Sequence, residues 1–364
     1  MNLLEVTDLR VSFPTSDGLV QAVRGVSFRV GRGQTLGIVG ESGSGKTVCT
    51  QTLLGLTPGA DVSGRAMFGD VNLITLGAEQ MRHIRGAQIA AIFQDPLTSL
   101  HPLYRVGWQI SEMIRAHDRS VTKAQAHQRA VDLLTQVGIP QAAKRADDYP
   151  HQFSGGMRQR AMIAMALALN PKLIIADEPT TALDATVQAQ ILDLLVRLQR
   201  EYETALIMIT HDLGVIADIA DDVMVMYAGR AAEYSDRHTL FYRSHHPYTK
   251  GLLESIPGST GATDRLRPIP GQPPSLINVP SGCAFHPRCQ YVMDRCIDEL
   301  PGLITLPSDG GRHRSACWLP PRATGLGAET EELRQEAVTM NRTERARAIA
   351  ESSAASADAR GNVA

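Results

Sequence analysis

Three groups of residues have the types and spacing that chemistry needs. The first is Gly40-Glu-Ser-Gly-Ser-Gly-Lys46-Thr47, where glycines alternate with small polar residues and end on a lysine and a threonine. Such a run turns successive backbone N–H groups toward one point, and at the opening of a helix it makes a pocket for phosphate oxygens. Gly40, Ser42, Gly43, Ser44 and Gly45 form the cradle. Lys46 reaches the β- and γ-phosphates, and the Thr47 hydroxyl holds Mg²⁺. The second group is Asp177-Glu178, at the end of the apolar run LIIAD. Adjacent carboxylates there fit a ligand in the metal's shell and a base that orients water. A plain helix cap is the alternative, and the accompanying phosphate loop favours the catalytic roles.

The third group is Cys283, Cys289, Cys296 and Cys317, with 5, 6 and 20 residues between them. Cysteines so clustered in a reducing compartment are ligands more often than disulfides. Four thiolates suit zinc or an iron–sulfur cluster. The spacing matches neither the short pairs of zinc ribbons nor the ferredoxin run, and taken alone it leans toward zinc. Cys49 lies apart and reads as a small buried residue. His286 and His313 flank the group and read as solvent-facing, with a ligand role as the alternative.

These residues need elements to hold them. Residues 3–39 read as short β-rich runs around the polar turn TSDG at 15–18, with TLGIVG at 35–40 as a buried strand. A helical period follows the phosphate loop. QIAAIF at 88–93 reads as a strand, 105–138 as helical, and Met157–Leu169 as a helix stopped by Pro171. LIIAD and ALIMIT are apolar at every position, as strands covered on both faces are. VQAQILDLLVRLQREY and DLGVIADIA read as helices, and VMVMYAGR as strand and turn. Strand–helix alternation of this kind implies α/β layers around a largely parallel sheet. Residues 256–282 are rich in Pro, Gly and Ser and read as a connecting arm. The final ESSAASADARGNVA reads as disordered, with EELRQEAV a short helix candidate before it.

Composition removes several classes of function. With 364 residues and 43% hydrophobic against 20% charged, the chain can bury a full core and is neither fibrous nor wholly disordered. Its 36 Lys+Arg against 38 Asp+Glu give a net charge of −2, so bulk attraction to nucleic acid is excluded. The start MNLLEVTDLR lacks the charged-then-apolar pattern of a signal peptide. AMIAMALAL is far too short for a bilayer span, so any membrane role goes through a partner.

Further motifs give the chain a family likeness. Phe153-Ser154-Gly155-Gly156-Met157, 23 residues before Asp177, resembles the signature loop of the ABC ATPases. Gln94 in IFQDP resembles their Q-loop, Thr181-Ala182-Leu183-Asp184 their D-loop, and His211 in ITHD their switch histidine. YPHQFSGGMRQR, VQAQIL, HPYTKGLLESIP and PIPGQPPSL are similar to the ATP-binding subunits of bacterial oligopeptide, dipeptide and nickel importers. His101 and Ala185 depart from that text at positions that carry no chemistry.

The resemblance implies an ABC-type P-loop fold with an N-terminal antiparallel β subdomain. It also implies a helical subdomain near 95–170 within a nucleotide-binding domain 1–255, a cysteine-rich extension 256–320, and a tail 321–364. It implies that Gln94 serves the metal and attacking water, that His211 steadies Glu178, and that Phe13 stacks on adenine, a strand-end core role being the alternative. Ser154, Gly155 and Gly156 are implied to serve the ATP of a partner subunit, and Asp184, in the D-loop, to bind nucleotide. GCAFHPRC…C…HRSAC resembles a tail that holds a [4Fe–4S] cluster, against the lean of the spacing. The implied partners are a second ABC ATPase, in a heterodimer, two permeases and an extracytoplasmic binding protein, at the cytoplasmic face of a bacterial membrane. A soluble ABC protein of translation or DNA repair is the rival. It usually has two ATPase domains or a long coiled coil, and this chain has one phosphate loop and no sustained heptads.

Overall fold

The computed structural model describes residues 2–181, 183–255, 268–307 and 311–320. Ala182 of the D-loop, part of the proline-rich arm and the whole 321–364 tail fall outside the described residues. The chain divides into two compact units, with breaks between Thr75 and Leu76 and between Ile207 and Met208.

The first unit opens with β1 (Asn2–Thr15) and β2 (Gly18–Gly31), paired antiparallel across the Ser16-Asp17 turn. Leu4, Val6, Leu9 and Val11 of β1 are buried. The alternation slips between Val6 and Leu9, where Asp8 sits at φ 46° and the register shifts, as at a β-bulge. β3 (Thr35–Val39) is buried at every position and leads through the phosphate loop into α1 (Lys46–Leu53). β4 (Asp61–Phe68) then pairs with β1, and β5 (Val71–Asn72) with β4, giving a sheet of order β2-β1-β4-β5. This is the antiparallel β layer expected near the N-terminus. β4 is not legible in the sequence, because Gly64 and the polar run before Ala66 break its alternation.

The second unit is mostly helical. It holds α2 (Ala78–Ile84), β6 (Ile89–Ile92), α3 (Pro96–Ser99), α4 (Val106–His117), α5 (Lys123–Gln136) and α6 (Ala142–Arg145). After them come α7 (Gly155–Leu167), β7 (Leu173–Asp177) and α8 (Ala185–Glu201). β6 and β7 pair in parallel. Ile110 and Ile114 on α4, like Ala126, Ala130 and Leu134 on α5, recur every fourth residue and are fully buried. Each buried isoleucine contributes about 2 kcal/mol. The helical stretch 105–138 is two helices rather than one. Thr122 caps α5, its Oγ1 accepting from the Gln125 N–H at 3.3 Å while Gln125 Oε1 accepts from the Thr122 N–H at 3.0 Å.

β8 (Ala205–Thr210), buried throughout, carries the chain back to the first unit. There follow α9 (Leu213–Ile219), β9 (Asp222–Tyr227), β10 (Arg230–Asp236), α10 (Arg237–Arg243) and α11 (Pro247–Glu254). The last elements are α12 (Asp294–Asp298), β11 (Ile304–Thr305) and β12 (Arg314–Ser315). β9 lies parallel to β3 and antiparallel to β10, and the C-terminal strands extend that edge in the order β11-β12-β10-β9-β3. Residues around the cysteines thus continue the same sheet that carries the phosphate loop.

Candidate active site

The phosphate loop leaves the buried end of β3 at Gly40, whose φ of 153° and closeness to the Met226 carbonyl exclude a Cβ. Glu41, Ser42 and Gly43 follow, and the Ser44 N–H closes back on the Glu41 carbonyl at 3.2 Å. Lys46 is buried at the start of α1 and donates to the carbonyls of Gly40 at 2.6 Å and Glu41 at 3.0 Å. The buried Ser44 Oγ has no hydrogen-bond partner among the described residues. An orphaned hydroxyl and an ammonium at the N-terminus of α1 fit phosphate oxygens with bound Mg²⁺, and Thr47, next in the helix, offers the metal a hydroxyl.

Asp177 is buried at the C-terminal end of β7. Glu178 follows with φ 46°, a left-handed backbone that costs a residue with a Cβ about 1–2 kcal/mol. Its Oε2 accepts from Gln94 Nε2 at 3.3 Å and from Thr181 Oγ1 at 2.9 Å. Sequence reasoning named Gln94 and Glu178 separately, and the fold brings them into one hydrogen-bonded group with Thr181. Strain held at a polar group of this kind is how reactive side chains are fixed before substrate arrives.

The signature segment sits at the start of α7. Ser154 is its N-cap and accepts from the Met157 N–H at 3.3 Å. The helix starts at Gly155, two residues earlier than expected, so both glycines lie in its first turn. A Cβ on Gly156 would come within 2.8 Å of Val187 Cγ1 on α8, which explains a glycine there by packing alone. Ser154 and Gly155 are exposed. Asp184 caps α8, accepting from the Val187 N–H at 2.9 Å. His211 is exposed just past β8, where Asp212 caps α9. Phe13 is half-buried on β1, opposite Val20.

What surrounds Glu41 is not legible in the sequence. Its N–H donates to the Tyr248 hydroxyl at 2.8 Å, and its carboxylate is gripped by Arg288 through contacts of 2.6 and 2.9 Å. No local motif marks either partner.

Cys283, Cys289, Cys296 and Cys317 line one small, almost wholly apolar cavity with Phe285 and Trp318. Burial pushes the Cys283 thiol up to about 11 and the Cys317 thiol up to about 12, and the neighbouring cysteines add to both shifts. Among the described residues, no three His, Cys, Asp or Glu side chains are drawn together as a metal's ligand set. His286 borders the same cavity, with Nδ1 3.0 Å from the Cys283 carbonyl. His313 corrects the sequence reading: it is buried, not solvent-facing, and its Nε2 lies 2.6 Å from Glu233 Oε1. That contact occupies one of its two ring nitrogens. Cys49 is fully buried, and burial raises its thiol to about 12.

A family model described as ABC transporter matches residues 23–181, and one described as oligopeptide/dipeptide transporter, C-terminal region, matches 232–296. The oligopeptide transport ATP-binding protein OppD of Haemophilus influenzae is 50% identical over 318 residues, 87% of this chain and 97% of its own length. The dipeptide transport ATP-binding protein DppD of Escherichia coli is 47% identical over 322 residues, 88% of this chain and 97% of its own. Among solved structures, the bacterial ABC transporter cassette MJ0796 in dimeric form superposes with a TM-score of 0.58 at 25% identity, covering 64% of this chain and 98% of that one. CbiO1 of Clostridium perfringens, part of the ABC transporter complex cbiONQ, gives 0.56 at 29%, covering 66% and 90%. On the phosphate loop, the Asp177-Glu178 pair, the Ser154 cap and these matches together, the chain belongs to the ATP-binding subunits of the ABC oligopeptide and dipeptide transporters.

Proposed function

We propose that this chain hydrolyses ATP to drive import of short peptides through a membrane assembly, as one of its nucleotide-binding subunits. The observation that carries the reading is Glu178, strained beside buried Asp177 and hydrogen-bonded by Gln94 and Thr181. A carboxylate so fixed can accept a proton from the attacking water, or orient it, without reorganising at the moment of reaction. The loop's N–H groups and Lys46 bind and orient the phosphates, Phe13 stacks on the adenine, and His211 serves as the switch histidine. Thr47, Gln94 and Asp177 are the residues that would hold Mg²⁺, which neutralises charge on the transferring phosphoryl group.

Among the described residues no helix is long and apolar enough to cross a membrane. Permease and substrate-binding partners therefore supply the path and the cargo recognition, and this subunit docks at the inner face of the membrane. The relatives named for oligopeptide and dipeptide transport support peptides as the cargo class. The second ATPase is a related but distinct chain, and Ser154, Gly155, Gly156 and Asp184 act on the nucleotide it holds.

The four cysteines are assigned to a structural [4Fe–4S] cluster. The support is that four soft sulfur donors border one cavity, though they are not drawn together as a ligand set, and irons bound there would offset the cost of forming buried thiolates. Zinc is the weaker alternative.

The deciding experiment is Glu178→Gln in the assembled transporter. ATP affinity is expected to stay near that of the parent, while turnover falls about 100-fold or more, the scale of a lost general base. Equal turnover by variant and parent removes Glu178 from the mechanism.

A further inference from the structure

Glu41 is the second residue of the phosphate loop, and all three of its polar handles are held. Its carbonyl accepts from Lys46 Nζ at 3.0 Å. Its N–H donates to Tyr248 on α11 at 2.8 Å. Its carboxylate meets the Arg288 guanidinium as a two-pronged pair, Nη1 to Oε2 at 2.6 Å and Nη2 to Oε1 at 2.9 Å. The Arg288 side chain is only 5% exposed and the Glu41 side chain 25%, so this pair is shielded as surface ion pairs are not.

Arg288 is itself tightly fixed. Its Nε donates to the Pro270 carbonyl at 2.8 Å, and its guanidinium lies 5.9 Å from the ring centres of both Tyr227 and Phe285. Tyr227, Tyr248 and Phe285 pack against one another with centroids 4.6 to 5.4 Å apart. The clamp therefore consists of residues from β9, from α11 and from the short turn His286–Arg288, beyond the catalytic motifs.

We propose that Arg288 and Tyr248 are positioning residues for nucleotide binding: by fixing Glu41 they hold the phosphate loop open in its binding form, so that the C-terminal segment sets the affinity for ATP. A loop fixed in advance loses less freedom when the triphosphate arrives, and a loop only partly populated in its competent form binds correspondingly more weakly. Both act through Glu41. The inference rests on reading this loop as the ATP site, and the experiment separates the two.

ATP binding to the full-length chain is titrated calorimetrically for the parent and for Lys46→Ala, Arg288→Ala, Arg288→Lys, Tyr248→Phe, Glu41→Gln and the Arg288→Ala/Glu41→Gln double variant. Arg288→Ala is expected to weaken ATP binding about 10-fold, within the usual range of coupling between sites. Arg288→Lys, which keeps the charge and loses the fork, is expected to recover part of that loss. The double variant should bind no worse than the weaker single one, because both lesions remove the same contact. In the assembled transporter the loss should sit in KM, with kcat at saturating ATP changed far less. That split is one a loss of folded protein does not produce. Arg288→Ala within twofold of the parent, or losses that add in the double variant, overturns the proposal. If Arg288→Ala does not fold, Arg288→Lys and Tyr248→Phe decide the matter by the same criterion, and unchanged affinity in both overturns it. Lys46→Ala binding as well as the parent would instead overturn the assignment of the loop.

Discussion

Glu233 lies in the middle of β10 with no exposed surface, and its carboxylate is saturated by donors. It accepts from the backbone N–H groups of His245 at 2.6 Å and His246 at 3.0 Å, and it meets His313 Nε2 at 2.6 Å. Burial pushes this carboxyl up, but the hydrogen bonds from His313 and the His245 N–H outweigh it and leave the group below its usual value. A carboxyl depressed in the folded state binds fewer protons there than in the unfolded chain. Its contribution is therefore complete above about 4.5 and is lost as the pH falls through the lower, folded value. Glu233→Gln is expected to lower stability at neutral pH by about 1–3 kcal/mol, the cost of a weakened buried hydrogen-bond set. It should also flatten the acid limb below pH 5, read from urea unfolding midpoints between pH 3 and 7. An unaltered acid limb would remove Glu233 from the acid response. The residue is illegible in the sequence, since a lone glutamate in RAAEYSD reads as a solvated position. The phosphate loop is legible because its parts are contiguous. The Arg288–Glu41 pair spans 247 residues of chain, and no local pattern announces it.

At the scale of elements, the strands buried on both faces were the most legible. LIIAD and ALIMIT fall on β7 and β8 with their full lengths, because an unbroken apolar run has few other uses. β10 was run into the turn after β9, its pattern hidden by Glu233, and α10 went unread. β10 draws on a partner distant in sequence: β12 pairs with it, and the paired residues lie some eighty positions apart. The cysteine segment belongs to this class. On the proposed reading its order depends on what the four sulfurs hold, since among the described residues of 283–317 regular structure is confined to the turn His286–Arg288, α12 and two two-residue strands. Protein purified without oxygen is expected to contain about four irons and four sulfides per chain, with broad visible absorbance. Cys289→Ser should lower that content and destabilise the C-terminal segment. Stoichiometric zinc in a colourless protein would replace the cluster by a zinc site, and fresh protein free of any metal would remove both.

At the scale of the whole molecule, two helix starts among the described residues are suited to phosphate, the buried one at Lys46 on α1 and the exposed one at Ser154 on α7, and they lie in different compact units. The Ser154 hydroxyl is already used as a cap within its own unit, and the serine and Gly155 face solvent. That exposure is what a surface reserved for another subunit requires. If the signature segment serves the partner's nucleotide, its loss leaves this chain's own binding intact. Ser154→Arg is accordingly expected to bind ATP as the parent does when the full-length chain is titrated alone, whereas Lys46→Ala loses most of its affinity. In the assembled transporter the same Ser154→Arg subunit should depress turnover about 100-fold, because a bulky cation at the helix start blocks closure on the facing triphosphate and cancels the favourable N-terminal field only there. Two measurements on one variant thus separate the arrangements. Weakened ATP binding by the lone Ser154→Arg chain, to the degree seen for Lys46→Ala, would place the signature segment on its own subunit's nucleotide. Normal turnover of the assembly carrying it would deny the segment any part in hydrolysis.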